Sequence, residues 1–467
     1  MNPYNKLNQV VIDKINQIKG IKVLFDEQSL QKYSHDETED LVFMPEMVVI
    51  PNNVTQISEL LKICNEHIIP VTPRGAGTGL SGGALPVYKG IILSMEHFNK
   101  ILHIDEKNFQ VTVEPGVITE ELQNAVKEKG LFYPPDPASK GSCFIGGNLA
   151  ENSGGPKAVK YGVTYQYVLN LEVVLPTGEV IWTGANVLKN ATGYNLTQLM
   201  IGSEGTLGII TKAVLRLIPY PKFNLLLLAP FKSLTDAGKA VNDIFLKGII
   251  PSAMELMEKD AFELGVKFLN EKNPFEAYDN EAFLLIEVDG NDLENLFKEI
   301  EGINEVLETY KIENTLFADG ETQKEQFWKI RRVIGEAVKK HSIYKEEDTV
   351  VPRGELPKLL EGVKQIGAQY GFKSICYGHA GDGNLHVNII KGNMNDEAWN
   401  NQLKQGIIEI FKLCKRLGGT ISGEHGIGWV QKDYLPIVIE KSNINLQKQI
   451  KKLFDPNMIL NPGKIFN

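Results

Sequence analysis

Residues 73–83 read Pro73-Arg74-Gly75-Ala76-Gly77-Thr78-Gly79-Leu80-Ser81-Gly82-Gly83, and the fold turns on what this run is. It contains a literal Gly-x-Gly-x-x-Gly from Gly77 to Gly82, the fingerprint of a Rossmann turn. Its context excludes that reading. A Rossmann fingerprint opens a helix whose N-terminus holds a pyrophosphate, yet Gly83 and Pro86 follow at once and the next periodic segment is a strand. So many bare amides suit a loop curled around an anionic group such as a diphosphate, with Thr78 and Ser81 as hydroxyl donors and Arg74 as a charge. Two more such regions follow, Gly141-Ser142-Cys143-Phe144-Ile145-Gly146-Gly147-Asn148 running on through Glu151-Asn152-Ser153-Gly154-Gly155, and Ile201-Gly202-Ser203-Glu204-Gly205-Thr206-Leu207-Gly208-Ile209. Three separated glycine-rich loops imply close backbone approach to one large planar or extended ligand. Spacing alone does not name it.

Residues 1–40 read as one amphipathic helix carrying Val10, Val11, Ile15 and Ile18, followed by a charged stretch, and together they form an appendage. From Met47 short strands are expected at 47–51, 69–72, 91–95 and 110–113, interleaved with helices at 54–66 and 119–129, the first capped by Asn53. Strands return at 168–175, 180–182 and 207–217, and Pro219-Tyr220-Pro221 marks a boundary. Beyond it strands at 224–229, 252–257 and 283–288 alternate with helices at 234–247 and 292–308, an α+β pattern with a sheet covered on one face. A helix at 322–340 and another at 396–417 flank a hairpin, and no internal repeat or low-complexity tract is visible.

That hairpin is His379-Ala380-Gly381-Asp382-Gly383-Asn384-Leu385-His386. With Asp382-Gly383 as the central pair of a two-residue turn, His379 sits directly across from His386, and the strand period of two adds Tyr377 and Asn388 to the same face. Downstream, Ser422-Gly423-Glu424-His425-Gly426 places a carboxylate and a third imidazole between glycines. Together these residues outline a polar site able to hold a metal and move a proton.

At 467 residues the chain is too long for one core. A net charge of -9 gives no electrostatic case for nucleic acid. Cys64, Cys143, Cys376 and Cys414 are far apart, so neighbouring cysteines build neither an iron-sulfur cluster nor a zinc ribbon, and thiols in a reducing cytoplasm fit best. The N-terminus has no apolar signal core, and the richest apolar run, 223–230, is far below a membrane span. The partners expected on these grounds are a small molecule or another protein.

The three loops in this order, followed by HAGDGNLH, SGEHG and a terminal NPGK, resemble the FAD-dependent D-2-hydroxyacid dehydrogenases of the vanillyl-alcohol oxidase type. Within that type the chain is similar to the branch that contains a glycolate oxidase subunit together with D-lactate dehydrogenase and D-2-hydroxyglutarate dehydrogenase. The resemblance covers about 44–465. It implies an α+β fold: an FAD-binding domain of two subdomains at 41–220, a substrate cap with the metal-site hairpin at 221–420, and a segment at 421–467 returning to the FAD domain, with 1–40 left as the appendage. It implies non-covalent FAD held by Arg74, Gly75, Gly77, Thr78, Gly79, Ser81, Ser142, Gly146, Gly147, Asn148, Asn152, Ser153, Gly155, Glu204, Gly205, Ile209 and Asn461. It also implies one divalent metal (zinc, manganese or iron) on His379, His386 and Glu424, with His425 as catalytic base. Arg331 and Asn388 are implied as substrate contacts, and Lys345 as a second carboxylate-binding cation displaced by one position from its place in some relatives. The reaction implied is oxidation of a 2-hydroxy acid to the 2-oxo acid. Electrons then pass to electron-transferring flavoprotein, an iron-sulfur subunit or a quinone, and the enzyme is cytoplasmic or held at a membrane through a partner. Two alternatives stay open: a flavoenzyme like alkyl-dihydroxyacetone-phosphate synthase, which performs a non-redox exchange, and a metal-dependent hydrolase with structural glycine loops.

Overall fold

The computed structural model describes residues 3–276, 279–312 and 314–466. The chain divides into two units, Met1–Gly154 with Val163–Tyr220 and Glu424–Asn467, and Gly155–Gly162 with Pro221–Gly423.

The first unit holds two main sheets. In one, Met47–Ile50, Ile91–Ser94 and Val71–Arg74 run parallel, and Lys22–Leu24 pairs antiparallel at the edge. Met47–Ile50 and Ile91–Ser94 are buried at every position, as parallel strands covered on both faces must be. Between the first two in sequence, the helix Val54–His67 starts where Asn53 accepts the Gln56 N–H at 3.1 Å, the cap that its side chain suggests. The other sheet is wholly antiparallel, in the order Ile101–Asp105, Gln110–Val113, Ile209–Arg216, Val168–Val174, Val180–Trp182.

The first forty residues are not an appendage. They form two short helices, Gln9–Asn16 and Glu27–Lys32, around the strand Lys22–Leu24. Val11, Ile15 and Ile18 are buried in the same core as Met47, Val49, Ile57 and Leu60, while Leu30 packs with Val48, Ile50 and Ile92 on the other side of the sheet. A sheet apolar on both faces needs two covers, and this segment contributes to both.

The second unit is built on a seven-stranded antiparallel sheet, ordered Leu316–Ala318, Phe223–Phe231, Ala282–Gly290, Ala253–Glu258, Lys373–His379, Asn384–Ile390, Tyr344–Val350. The helix expected at 322–340 is interrupted at Val333, giving Glu321–Arg332 and Ile334–His341 and placing Arg331 in the last turn of the first piece. Residues 155–162 belong to this unit. Lys157 reaches Glu287, and Lys160 donates to Asp289 Oδ1 at 2.7 Å, pinning the segment to the strand Ala282–Gly290.

The C-terminal segment closes the first unit. Val71 N–H donates to Ile459 O at 2.8 Å and Asn461 N–H to Val71 O at 2.7 Å, so the tail adds itself beside Val71–Arg74. It is held there by Lys451, whose Nζ donates to Thr206 O at 2.7 Å, to Leu460 O at 2.9 Å and to Asp455. Asp455 in turn accepts the Leu460 N–H at 2.8 Å. Asp455→Ala leaves the buried Lys451 ammonium uncompensated, so we expect it to lower the unfolding free energy by about 3–5 kcal/mol. An earlier midpoint in guanidinium unfolding checks this, and an unchanged midpoint would remove the ion pair from the account of stability.

Candidate functional site

The three glycine-rich loops line one cleft of the first unit, about 1430 Å³ with its open mouth included. At Gly77 the backbone is left-handed (φ +78°), and a Cβ there would fall 2.1 Å from Arg74 Nη2, because the Arg74 side chain folds beneath the loop. Arg74 is buried and its Nη1 has no hydrogen-bond partner. Burial pulls its pKa down while Asp36, Tyr33 and Glu96 act to hold the charge. A buried guanidinium N–H without an acceptor, under a rim of bare amides, is a receptor for an anion. At Gly79 and Gly147 an added Cβ would meet nothing, so these glycines expose bare backbone to the cleft.

Glu424 and His425 line the same cleft. They sit on a loop whose next residues are tied down by Glu204: its carboxylate accepts the Ile427 and Gly428 N–H groups, each at 2.7 Å. Asn461 Nδ2 donates to Gly83 O at 3.0 Å and to Glu204 O at 2.7 Å, joining the first and third glycine loops. Glu151, also in the lining, is a buried carboxyl pushed upward by burial and by Glu204.

In the second unit the register of four strands writes out a polar face. Glu255 pairs with His379, Tyr377 with His386, His386 with Asp348, and Asn388 with Glu346. Residues paired across strands share a face, so Glu255, His379, Tyr377, His386, Asn388, Glu346 and Asp348 all point the same way. The two imidazoles are 5.5 Å apart between ring centroids. Glu255, with no exposed surface, contacts His379 Nδ1 at 2.8 Å and Arg331 Nη2 at 2.7 Å. Burial alone would raise this carboxyl, but His379 and Arg331 hold it below its usual range. The contact assigns a proton to His379 Nδ1 and leaves Nε2 as its electron-pair donor, the usual arrangement of a metal-binding histidine. His386 Nδ1 lies 3.3 Å from Glu346. Asp348 holds the next loop: its carboxylate accepts the Gly423 N–H at 2.8 Å, the Ser422 hydroxyl at 3.1 Å and Asn384 Nδ2 at 2.6 Å. Asn388 is fully buried with its amide beside the Tyr377 hydroxyl, and Arg331 Nε is buried without a hydrogen-bond partner.

Two family profiles match the chain, an FAD binding domain over residues 45–184 and the C-terminal domain of FAD-linked oxidases over residues 220–465. It is 40% identical to the glycolate oxidase subunit GlcD of Bacillus subtilis (strain 168), over 93% of this chain and 92% of that one. The chain belongs to the FAD-linked oxidases. It is 39% identical to a D-lactate dehydrogenase of Anaerostipes hadrus (99% and 98% of the two chains) and 34% identical to a D-2-hydroxyglutarate dehydrogenase of Stutzerimonas stutzeri (95% and 96%). Among solved structures it superimposes on p-cresol methylhydroxylase with a TM-score of 0.81 at 18% identity, covering 99% and 98% of the chains. It superimposes on alkyldihydroxyacetonephosphate synthase with 0.75 at 20% identity, covering 98% and 86%. These last two show the fold alone, an α+β architecture of the vanillyl-alcohol oxidase type. This oxidase is therefore an FAD-dependent oxidoreductase, and the hydrolase alternative is set aside.

The cleft fits that cofactor: bare amides, the unpartnered Arg74 N–H and an extended lining suit a diphosphate joined to large planar groups. Arg74, Gly75, Gly77, Thr78, Gly79, Gly146, Gly147, Asn148, Ser153, Glu204, Gly205, Ile209 and Asn461 all line it. Four expected contacts do not. Ser81 is buried behind the loop, its carbonyl accepting Trp429 N–H at 2.8 Å, and Ser142 turns its hydroxyl to Ser139 O. Asn152 spends its side chain on Tyr165 N–H, and Gly155 lies in the second unit.

Two expectations for the oxidase's second unit are corrected as well. His386 lies opposite Tyr377, not His379, because residues 380–383 form a longer turn whose Gly381 N–H is taken by Met254 O at 3.1 Å. The shift is two residues, so the same four side chains still share a face. Lys345 pairs with Ile389, which puts it on the opposite face from His386 and Asn388, and its Nζ lies 5.5 Å from the Trp399 ring centroid. It is not a substrate contact on this face. The sequence reading missed Glu255, whose signal was a carboxylate in the middle of the otherwise apolar run 253–257.

Cys143 also lines the cleft, as a buried free thiol whose Sγ is within hydrogen-bonding distance of Thr119 Oγ1 and Asn148 Nδ2, each at 3.4 Å. Burial of this kind is typical of inert structural thiols. Acid precipitation of the holoenzyme is expected to release all the flavin into the supernatant. Yellow colour remaining with the pellet and lost in Cys143→Ser would show a covalent link instead.

Proposed function

We propose that this oxidase converts a D-2-hydroxy acid of the lactate, glycolate or 2-hydroxyglutarate type to the 2-oxo acid, with metal assistance, and passes the electrons to a partner flavoprotein, an iron-sulfur subunit or a quinone. The observation that carries the reading is the polar face of the second unit, where Arg331 Nε is buried with no partner close to two histidines and the buried Asn388. Such a donor is costly unless a ligand satisfies it, and a 2-hydroxy carboxylate offers the acceptor. The relatives' names point to the same substrates.

Arg331 donates Nε to the substrate carboxylate while Glu255 fixes the guanidinium, so the fork is held before substrate arrives. Asn388 Nδ2 donates to a second substrate oxygen. The ligands proposed for the cation are His379 through Nε2, His386 and Glu424, and two nitrogens with a carboxylate suit zinc, manganese or iron rather than calcium. The chemistry supplied by a cation on these ligands would be Lewis acidity, which would lower the pKa of the substrate hydroxyl. Support for Glu424 as the third donor is the anchoring of Gly423, its neighbour in the chain, by Asp348. His425 accepts the hydroxyl proton on a ring nitrogen, and Glu204 keeps its loop in place. FAD held in the cleft by the residues that line it would supply the hydride acceptor that the oxidation needs. The four cysteines are separate buried thiols, so the acceptor beyond FAD is external. Among the described residues no helix is long and apolar enough to cross a membrane.

A screen of D- and L-2-hydroxy acids with a dye acceptor tests the reading. Turnover is expected for a D-acid, falling about 10²- to 10⁴-fold in His425→Asn with the flavin retained. No turnover of any hydroxy acid, or a His425→Asn variant as fast as its parent, would refute the reading or the role. Prolonged chelation is expected to abolish turnover with the flavin spectrum unchanged, and zinc or manganese to restore it. Full activity in protein shown by elemental analysis to lack metal would remove the cation from the mechanism.

A further inference from the structure

We infer that the segment 33–43 is a clip that holds the 73–83 loop in its FAD-gripping shape, with Thr38 as the positioning residue. The inference rests on the reading of that loop as part of the FAD site. It starts from an accounting of the loop's backbone. Gly82 is buried and its N–H donates to Thr38 Oγ1 at 2.7 Å, a contact across 44 residues. Gly82 also has a left-handed backbone (φ +73°), in the path of Trp429 Cβ, Leu85 and Leu41, so the loop turns where the clip touches it. The Thr38 hydroxyl is set by its own turn, in which Asp36 Oδ1 accepts the Thr38 N–H at 3.0 Å.

The same segment reaches the cationic end of the loop. The Arg74 guanidinium lies 5.8 Å from the Tyr33 ring centroid, and Asp36 and Tyr33 both act on its charge. Tyr33 is held in turn, its hydroxyl donating to Glu96 Oε2 at 3.1 Å, where the Ser94 hydroxyl also donates at 3.2 Å. Phe43 N–H donates to Ser34 O at 2.8 Å and closes the segment on itself. One stretch of chain thus fixes Gly82 near one end of the loop and faces Arg74 at the other. Between these ends lie Gly75, Gly77, Thr78 and Gly79, which line the cleft. The clip's contacts are with the loop's frame, and the residues between are left for the cofactor.

The test is FAD affinity of the full-length apoprotein, followed by fluorescence as FAD is titrated in. Thr38→Val keeps the side chain's shape and removes the acceptor, leaving the Gly82 N–H buried and unmatched. It is expected to weaken FAD binding about tenfold, and Thr38→Ser to stay within about twofold of the parent. Gly77→Ala, which drives a Cβ into Arg74, serves as the control for the loop itself. If Gly77→Ala weakens FAD and Thr38→Val does not, the clip is wrong and the loop reading stands. If neither changes affinity, the loop reading fails and takes the clip with it. A Thr38→Val loss that Thr38→Ser shares, together with a lower melting temperature of both apoproteins, would overturn the positioning role in favour of simple fold stability.

Discussion

A carboxylate withdrawn from water must find donors or give up its charge, and the chemistry of both units depends on how this chain meets that requirement. Glu255 finds a histidine and an arginine, and by doing so fixes the tautomer of one and the orientation of the other. Glu204 finds two backbone amides and immobilises the loop that bears His425. Asp348 does the same for Ser422 and Gly423, and Glu287 receives the Trp328 indole N–H at 2.8 Å as well as Lys157. Each is a buried carboxyl joining parts of the chain remote in sequence. Polar side chains expected to meet substrate or cofactor are positioned through these acids, and of the four Glu204 also lines the cleft itself.

Much of the fold could be read directly from the chain. Strands such as Met47–Ile50 and Ile91–Ser94 are short apolar runs bounded by Pro or Gly, and helices such as Val54–His67 carry a capping asparagine. Local chemistry decides such elements, so local sequence reveals them. The N-terminal forty residues misled because an amphipathic helix looks alike whether it covers its own domain or hangs beside it. Its apolar stripe shows that a partner exists and not which one. The hairpin misled by two residues for a similar reason: Asp382-Gly383 has the composition of a tight turn, but Met254 on the neighbouring strand competes for the Gly381 amide.

The candidate site was legible in its glycines, its histidines and its family resemblance, and illegible in its supports. His379 and Glu255 are 124 residues apart, and nothing in either neighbourhood points to the other. Lys345 shows the opposite failure. Its charge and position near Asp348 made it a plausible ligand, and only the strand register, in which neighbours alternate faces, turns it toward Trp399. Thr38 carried no signal at all, since a single hydroxyl accepting one amide has no pattern to recognise.

The tail that adds itself beside Val71–Arg74 gives the ribosome a timetable. Leu460 and Asn461 complete a sheet whose other strands left the exit tunnel long before, and the whole second unit from 221 to 423 is translated in between. At about 5–20 residues per second, the sheet waits roughly 20–70 s between the emergence of Ser94 and that of Leu460. During that interval Asn461 is absent, Glu204 has not yet met the Ile427 and Gly428 amides, and the cleft lacks its full wall. The cleft is therefore completed only after Asn461 has joined it.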